Sequence, residues 1–328
     1  MAGSCGREAR DEGLEAMPYA QTAQRTFGPF LSPSGMGAIR ARLPDGRWHF
    51  QHGPIDLIIG IDGDATAVEV AGMRLWKRFQ TVLTELVGEL KLLRSPVQEA
   101  DSVTGPVARR MINACWPHRS QFITPMAAVA GAVADELIDE LRGTSAIRRA
   151  FVNNGGDIAL HLLEGQRYRV GLVSNPGETR RRTTSGLDGD FEISADTSVR
   201  GVATSGWRGR SFSLGIADSV TVLARTAAEA DASATMIANA VNVDDLAIMR
   251  EPASHLKDNT DLGDRLVTVE VGPLSQAKAE QALDAGRSHA LHLLTAGIIT
   301  GAVICLQGRV RVVGDESLTR SALVYVEV

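Results

Sequence analysis

Apolar residues recur along the chain at two different spacings, and each spacing predicts one type of element. Between about residues 66 and 93 they recur every three or four positions, among them Val70, Trp76 and Phe79. This is the period of an amphipathic helix, and Pro96 ends it because proline cannot continue a helix. The same pattern predicts further helices over residues 106–115, 126–141, 227–239 and 275–294.

Other segments alternate apolar and polar residues, which is the period of a β-strand with two different faces. Residues 37–43 and 48–52 alternate on either side of Pro44-Asp45-Gly46, which predicts a hairpin. Because such hairpins lie beside helices instead of alternating strictly with them, we predict an α+β fold with antiparallel sheets packed against helices. A polar loop is predicted over 175–190, and further strands over 55–61, 149–153, 158–163, 168–173, 199–204, 219–224, 266–271, 302–306, 310–313 and 323–326.

The composition is that of a folded protein, since 44% of the 328 residues are hydrophobic and 22% are charged. Glycine, serine and proline are scattered through residues 1–35, which predicts a flexible N-terminal segment. Residues 36–328 are predicted to form a single α+β unit, built either as one lobe or as two intertwined lobes.

Charge and cysteine content argue against some partners and compartments. The net charge of −5 argues against a face that binds nucleic acid. No stretch of about 20 residues is apolar without interruption, which argues against a membrane span, and no signal-peptide run is found near Met1. The three cysteines form no Cys-x-x-Cys pair, so we expect a reduced, cytoplasmic compartment.

The first candidate site is the segment Asn153-Asn154-Gly155-Gly156-Asp157. Two glycines after a strand permit positive φ and the close approach of a ligand, and exposed N–H groups there hold phosphate or the edge of a flavin ring. Asp157 is suited to orient a sugar or to assist a metal. The alternative is an ordinary hairpin turn, because Asn-Gly is a strong hairpin dipeptide.

The second candidate site is Thr204-Ser205-Gly206, where two hydroxyl groups and a glycine end a predicted strand. This arrangement suits a phosphate or a carbonyl group. Arg208 and Arg210 follow directly, and a guanidinium pairs well with a pyrophosphate. The alternatives are an ordinary strand end and solvated loop charges.

The third candidate site is Asp231 with Thr235. Both lie on the helix predicted over 227–239, and their spacing of four residues places them on one face. They supply hard oxygen ligands of the kind that Mg²⁺ prefers, and the small residues between them allow a phosphate to approach. The alternative is that Asp231 is a first-turn acid favoured by the helix dipole and Thr235 a small buried residue.

The fourth candidate is Gly131 with Asp135, on a helix whose first half is rich in alanine and glycine. Side chains this small allow the helix to pack closely against a flat surface. The alternative is that the surface belongs to another helix.

Taken in chain order, these motifs resemble those of the ApbE superfamily of flavin transferases. The correspondence is clear over about residues 105–245. Two further segments, residues 51–56 and 213–218, resemble a branch of the superfamily whose activity is not established. The four motifs are Gly131-Ala-Val-Ala-Asp135, Asn153-Asn-Gly-Gly-Asp157, Thr204-Ser-Gly206 and Ala230-Asp231-Ala-Ser-Ala-Thr235.

The resemblance implies a fold related to the tunnelling fold, FAD or FMN in a cleft, and Mg²⁺ at the pyrophosphate. It implies transfer of FMN from FAD to a threonine hydroxyl of a flavoprotein acceptor, with release of AMP. The metal ligands would be Asp231 and Thr235. The flavin nucleotide would be bound by Gly131, Asp135, Asn153, Asn154, Gly155, Gly156, Asp157, Thr204, Ser205, Gly206 and Arg208.

Two departures from the family pattern keep other functions open. The family's lysine and tyrosine correspond to Ala130 and Ala132, and its His-Ile-x-Asp-Pro segment after Thr-Ser-Gly is missing. One hypothesis is a Mg²⁺-dependent transferase. Another is a non-catalytic protein that binds a flavin or other nucleotide and serves a partner enzyme in assembly. A third is catalysis on a different small ligand.

Overall fold

A computed structural model describes residues 37–100, 102–172 and 189–314 of the chain. The predicted α+β class is confirmed, with antiparallel strands and helices in separate layers. The strands are β1 (Ile39–Arg42), β2 (Trp48–His52), β3 (Ile55–Gly63), β4 (Ile147–Asn154), β5 (Asp157–Leu162), β6 (Arg167–Leu172), β7 (Gly189–Ser194), β8 (Gly201–Ser205), β9 (Ser219–Ala224), β10 (Ile248–Pro252), β11 (Leu266–Val271), β12 (Gly301–Leu306) and β13 (Arg309–Gly314). The helices are α1 (Ala65–Gly88), α2 (Leu90–Leu93), α3 (Pro106–Cys115), α4 (Val129–Asp139), α5 (Ala227–Ala240), α6 (Ala253–Leu256) and α7 (Gln276–Thr295).

Nine of these strands form one antiparallel sheet, in the order β1-β2-β3-β4-β5-β8-β9-β12-β13. The narrowest junction lies between β5 and β8, which pair only through Ile158 with Val202 and Ala159 with Gly201. Helices α1 and α4 pack on the strands to one side of this junction, and α5 and α7 on those to the other side. The two remaining pairs, β6–β7 and β10–β11, are separate hairpin-like ribbons.

Alternating side chains give the sheet two different faces. Along β4, Ala150 and Val152 belong to the core beneath the helices, while Phe151 between them packs with Tyr168 and Ile193 of the β6–β7 ribbon. Successive side chains of a strand point to opposite faces, so one strand serves both cores. Helices therefore cover one face of the sheet, and the β6–β7 ribbon covers part of the other.

Helix α1 shows how the sequence fixes a helix on the sheet. Its N-cap residue Asp64 accepts hydrogen bonds from the N–H groups of Thr66 and Ala67, which satisfies donors that the first turn leaves free. Leu75 and Phe79 lie one turn apart and are fully buried against the sheet. The predicted helical spacing is therefore the spacing of the buried face.

A charged network joins α1 to its neighbours. The Glu136 carboxylate of α4 accepts hydrogen bonds from Arg78 of α1 at 2.8 Å and from Arg110 of α3 at 2.9 Å. Arg78 also binds Glu85, and Arg110 also binds Asp139. Each buried charge has an opposite partner, which is the condition under which buried ions are tolerated.

The structure differs from the predicted elements in a few places. The helix predicted over 66–93 divides at Glu89, whose φ is −111° and whose carboxylate accepts hydrogen bonds from the N–H groups of Thr104 and Gly105. Strand β7 is not among the predicted strands, although Phe191 and Ile193 alternate with polar residues and are buried. Strand β10, Ile-Met-Arg-Glu-Pro, does not alternate and ends in Pro252, so the sequence pattern does not reveal it. The helix predicted over 126–141 begins as a 3₁₀ turn at Pro125–Ala128.

Some predictions concern other parts of the chain. The flexible segment over 1–35, most of the loop over 175–190 and the strand over 323–326 lie outside the described residues. The predicted single unit stays a prediction. Among the described residues, no helix combines the length and the apolar character needed to cross a bilayer.

The contact of α4 with α5 makes a testable prediction, because a Cβ at Gly131 would collide with the carbonyl oxygen of Ala227. We expect Gly131→Ala to push the helices apart and to lower the free energy of unfolding by about 2 kcal/mol. Urea denaturation, followed by circular dichroism, measures the free energy of unfolding of each variant. The control is Gly88→Ala in α1, where a Cβ meets no atom within 4 Å. Equal effects of the two substitutions would contradict the close contact.

Candidate functional site

The candidate site is built around the first turn of α5, which is held by a carboxylate from α4. Asp135 accepts hydrogen bonds from the N–H groups of Ala227 at 2.9 Å and Ala228 at 2.8 Å. The Thr226 hydroxyl accepts a third, from Glu229. Burial raises the pKa of Asp135 to about 7, and the two amide bonds oppose that rise. Asp135 thus acts as a cap on a neighbouring helix, and Gly131 provides the space for that approach.

The contact is reciprocal, because α5 returns a carboxylate to the start of α4. Asp231 accepts a hydrogen bond from the Gly131 N–H at 3.0 Å. Thr235 follows one turn later on the same helix, so the predicted shared face of the two residues is confirmed, and both are half-buried. Asp231 lies beyond the first turn of α5, where the acidic residue is Glu229. Whether Asp231 and Thr235 bind a metal stays a prediction.

The glycine motif forms the turn of the β4–β5 hairpin. Asn154 pairs with Asp157, and between them Gly155 and Gly156 have φ values of +70° and +120°. The Asn153 side chain accepts a hydrogen bond from the Gly156 N–H at 2.8 Å, which closes the turn. The hairpin interpretation of the sequence is therefore correct, and it leaves a ligand role of the same turn open.

The hairpin is also tied to α4 and to β8. The Asn154 side-chain amide donates to the Ala130 carbonyl at 3.1 Å, and Asp157 accepts from the Thr204 N–H at 3.2 Å. The Thr204 hydroxyl lies 2.8 Å from that of Thr221 on β9. Together with the bond from the Gly131 N–H to Asp231, these bonds bring all four candidate motifs into one region of the molecule.

Gly206 has a packing role at the end of β8. Its φ is +150°, and a Cβ would approach the carbonyl oxygens of Asp218 and Ala217 to 2.5 and 2.9 Å. The neighbouring Ser205 is half-buried. The glycine is required for the chain to turn beside the start of β9, and a contact of Ser205 or Gly206 with a nucleotide stays a prediction.

Two half-buried carboxylates in this region have too few hydrogen-bond donors and positive charges around them to offset the cost of burying their charge. Burial raises the pKa of Asp157 to about 7, opposed by the Thr204 N–H and by the positive charge of Arg210. Burial raises the pKa of Asp231 well above its ordinary value, the negative charge of Asp157 raises it further, and the N–H groups of Gly131 and Ala130 oppose the shift. Two acids that perturb each other in this way form one electrostatic unit.

The two arginines after Thr204-Ser205-Gly206 have different surroundings. Arg208 donates to Asp218 at 2.7 Å and stacks on Trp207, so its charge is already matched. Arg210 instead lies across the hairpin turn, and a Cβ added to Gly155 would occupy the position of its guanidinium. Of the two, Arg210 is therefore the cation beside the turn. The sequence offered both arginines for a pyrophosphate and named Arg208 alone among the flavin contacts, because their spacing could not distinguish them.

A polar pair lies on another side of α5. The Ser233 hydroxyl is 3.4 Å from Nε2 of His118, and both side chains are buried. Burial and the neighbouring His289 lower the pKa of His118 to about 4, so this imidazole is neutral at physiological pH. The pair ties α5 to the chain after α3.

The site has few side chains that could bind a metal ion. Within residues 37–100, 102–172 and 189–314, no group of three or more histidine, cysteine, aspartate or glutamate residues is arranged to hold a metal ion. The site offers two carboxylates, Asp157 and Asp231, with the Thr235 hydroxyl one turn along α5. Mg²⁺ is commonly bound in this way, by one or two carboxylates together with water and the phosphates of a ligand.

Among solved structures, the chain is similar to the flavin transferase ApbE from Vibrio cholerae, with 14% identity and a TM-score of 0.34 over 87% of this chain and 99% of that one. It is similar to the Pseudomonas stutzeri flavinyl transferase ApbE in its apo form, with 12% identity and a TM-score of 0.38 over 85% and 95% of the two chains.

Sequence relatives give a firmer assignment. The UPF0280 protein of Methanothermobacter thermautotrophicus is 39% identical over 139 residues, which are 42% of this chain and 50% of that protein. The UPF0280 protein of Methanospirillum hungatei is 35% identical over 161 residues, or 46% and 58% of the two chains. The chain thus spans about half the length of these relatives. The model of the family described as "AbpE bacteria" matches residues 40–312, and the chain belongs to that family.

Proposed function

We propose that the chain binds a flavin nucleotide through a divalent cation held at Asp157 and Asp231. The observation that carries the proposal is the convergence of these two half-buried carboxylates, each with a raised pKa, beside a glycine turn. An acidic pair left with excess negative charge costs free energy, and a cation between pair and phosphate would remove that cost.

The donor set fits Mg²⁺. Carboxylate and hydroxyl oxygens are hard ligands, and Mg²⁺ tolerates few protein ligands because phosphate oxygens and water complete its shell. Asp231 and Thr235 are the ligands that the sequence predicts, and the structure adds Asp157 as the neighbouring acid. The cation would supply charge neutralisation at the pyrophosphate.

The surrounding backbone supports a nucleotide as the ligand. Gly156 has no atom within 4 Å of its Cβ position, and Thr204 is exposed at the end of β8. Side-chain-free turns and hydroxyl groups allow phosphate oxygens and a flat ring to approach the backbone closely. We propose that Asn153 to Asp157 and Thr204 to Gly206 contact the flavin nucleotide from two sides of the acidic pair.

The finer proposal is the reaction that the family resemblance implies. A threonine hydroxyl of an acceptor protein attacks the flavin-side phosphorus of FAD and forms a new P–O bond. The pyrophosphate P–O bond breaks, AMP leaves, and the hydroxyl proton is released to solvent. The chain's own contribution would be to bind and orient the two phosphoryl groups. Ala130, in place of the family's lysine, favours the second function: holding a flavin nucleotide for a partner enzyme without transfer.

Removing either carboxylate tests the site. We expect Asp231→Asn and Asp157→Asn each to weaken Mg²⁺-dependent binding of FAD by about 100-fold, because half of the negative charge is lost. Thr235→Val should have a smaller effect, about fivefold, because it removes one neutral ligand. Calorimetric titration with FAD, in Mg²⁺ and in EDTA, measures these affinities.

The matched control is Asp258→Asn, which removes one charge from an exposed residue. It should bind FAD as the unmodified protein does, and circular dichroism should show that all variants are folded. If Asp231→Asn and Asp157→Asn are folded and keep the original Mg²⁺-dependent affinity, the acidic pair is not the metal site.

Binding of the cation should depend on pH. Asp157 has a pKa of about 7, raised by burial, so below pH 7 a proton occupies the carboxyl group and must leave before the cation binds. The affinity for Mg²⁺ is therefore expected to rise at least about tenfold from pH 6 to pH 8. Titrations in buffers of different ionisation enthalpy should also reveal proton release. A flat pH profile would contradict the assignment of Asp157.

Release of AMP separates the two functions. Protein, FAD and Mg²⁺ are incubated with threonine-containing flavoprotein acceptors, and AMP is quantified by chromatography alongside the mass of the acceptor. Transfer predicts AMP and an acceptor heavier by one FMN, both absent with Asp231→Asn. Tight FAD binding without AMP release favours the binding and assembly function instead.

A further inference from the structure

The side chain of Arg210 occupies an unusual place over the β4–β5 turn. Its guanidinium takes the space that any side chain at Gly155 would need. Gly155 has a φ of +70°, so the turn itself already favours glycine, and the lack of a Cβ also gives Arg210 its position. The arginine therefore lies on the surface that we propose for the phosphates.

The charge of Arg210 acts on Asp157, but no ion pair holds its side chain in place. Its charge lowers the pKa of Asp157 and so opposes the rise caused by burial. Among the described residues it forms no ion pair within 4 Å, and its side chain is exposed, whereas the adjacent Arg208 is locked to Asp218 at 2.7 Å. A long, exposed side chain that is not held in an ion pair can move to an anionic ligand at little cost.

We propose that Arg210 is an exchangeable counter-ion, which competes with the divalent cation for the acidic pair and binds the phosphoryl oxygens of the nucleotide when the cation takes its place. This inference rests on the proposed function and adds an order of events to it: the cation binds the two carboxylates, and Arg210 then binds the phosphate. Asp157 and Asp231 can attract one added positive charge strongly, and a second cation beside it is repelled. The guanidinium already lies over the turn where phosphate would lie, and its planar fork suits phosphate oxygens.

Opposite effects on two ligands distinguish this role from simple support of the turn. Arg210→Gln removes a competitor for the carboxylates, so the affinity of the protein for Mn²⁺ alone should rise about fivefold. The same change removes a phosphate contact, so the affinity for FAD in saturating Mg²⁺ should fall about tenfold. Loss of a merely structural contact would weaken both.

The experiment uses the full chain at pH 8, with Mn²⁺ binding followed by electron paramagnetic resonance and FAD binding by calorimetry. Arg210→Lys keeps the charge and should keep the Mn²⁺ affinity, while losing part of the FAD affinity because it lacks the fork. The control Arg142→Gln removes the same charge from an arginine that is 75% exposed and paired with Asp139. It should change neither affinity.

The outcomes separate this inference from the proposed function. If Asp231→Asn abolishes Mn²⁺ binding but Arg210→Gln leaves it unchanged or weaker, the acidic pair binds the cation and Arg210 is not its competitor. If the unmodified protein binds neither Mn²⁺ nor FAD, the proposed function and the exchange both fall. A rise in Mn²⁺ affinity together with a fall in FAD affinity supports the exchange.

Discussion

The reciprocal contact between α4 and α5 is the constraint on which the site depends. Asp135 of α4 accepts two hydrogen bonds from the start of α5, and Asp231 of α5 accepts one from Gly131 near the start of α4. A carboxylate at a helix N-terminus satisfies free N–H groups and interacts favourably with the helix dipole. Since each helix caps the other, a shift of either one would break bonds at both ends, and the relative position of the two helices is fixed.

The contact between α4 and α5 also fixes the position of part of the sheet. Asn154 binds the Ala130 carbonyl, so the β4–β5 turn moves with α4, and Asp157 binds the Thr204 N–H, so it is also fixed to β8. The pairing of β5 with β8 is short, and these side-chain bonds supplement it at the point where the two halves of the sheet meet. The acidic pair is thereby assembled from one carboxylate on a hairpin and one on a helix. Its position at a junction is a common place for a ligand site.

Much of the fold could be predicted because long amphipathic periods identify helices such as α3, whose predicted and observed bounds are both 106–115. Strand β10 could not, because a two-stranded ribbon buries little and its sequence, Ile-Met-Arg-Glu-Pro, does not alternate. The candidate motifs were found one by one from glycine, hydroxyl and carboxylate spacing. Their convergence depends on long-range packing, and the opposite surroundings of Arg208 and Arg210 depend on where Asp218 lies, which local spacing does not encode.

The structure also distinguishes the two alanines that stand in place of the family's lysine and tyrosine. Ala132 is fully buried in the core formed with α1 and α3, so this position governs packing between helices and does not face a ligand. Ala130 is half-buried at the start of α4, where its carbonyl holds Asn154 and its neighbour Gly131 binds Asp231. A lysine there would add a flexible positive charge beside the acidic pair. With alanine, the positive charge that acts on Asp157 comes from Arg210, whose guanidinium lies over the β4–β5 turn. A positive charge beside the carboxylates thus comes from a different part of the chain than in the family pattern.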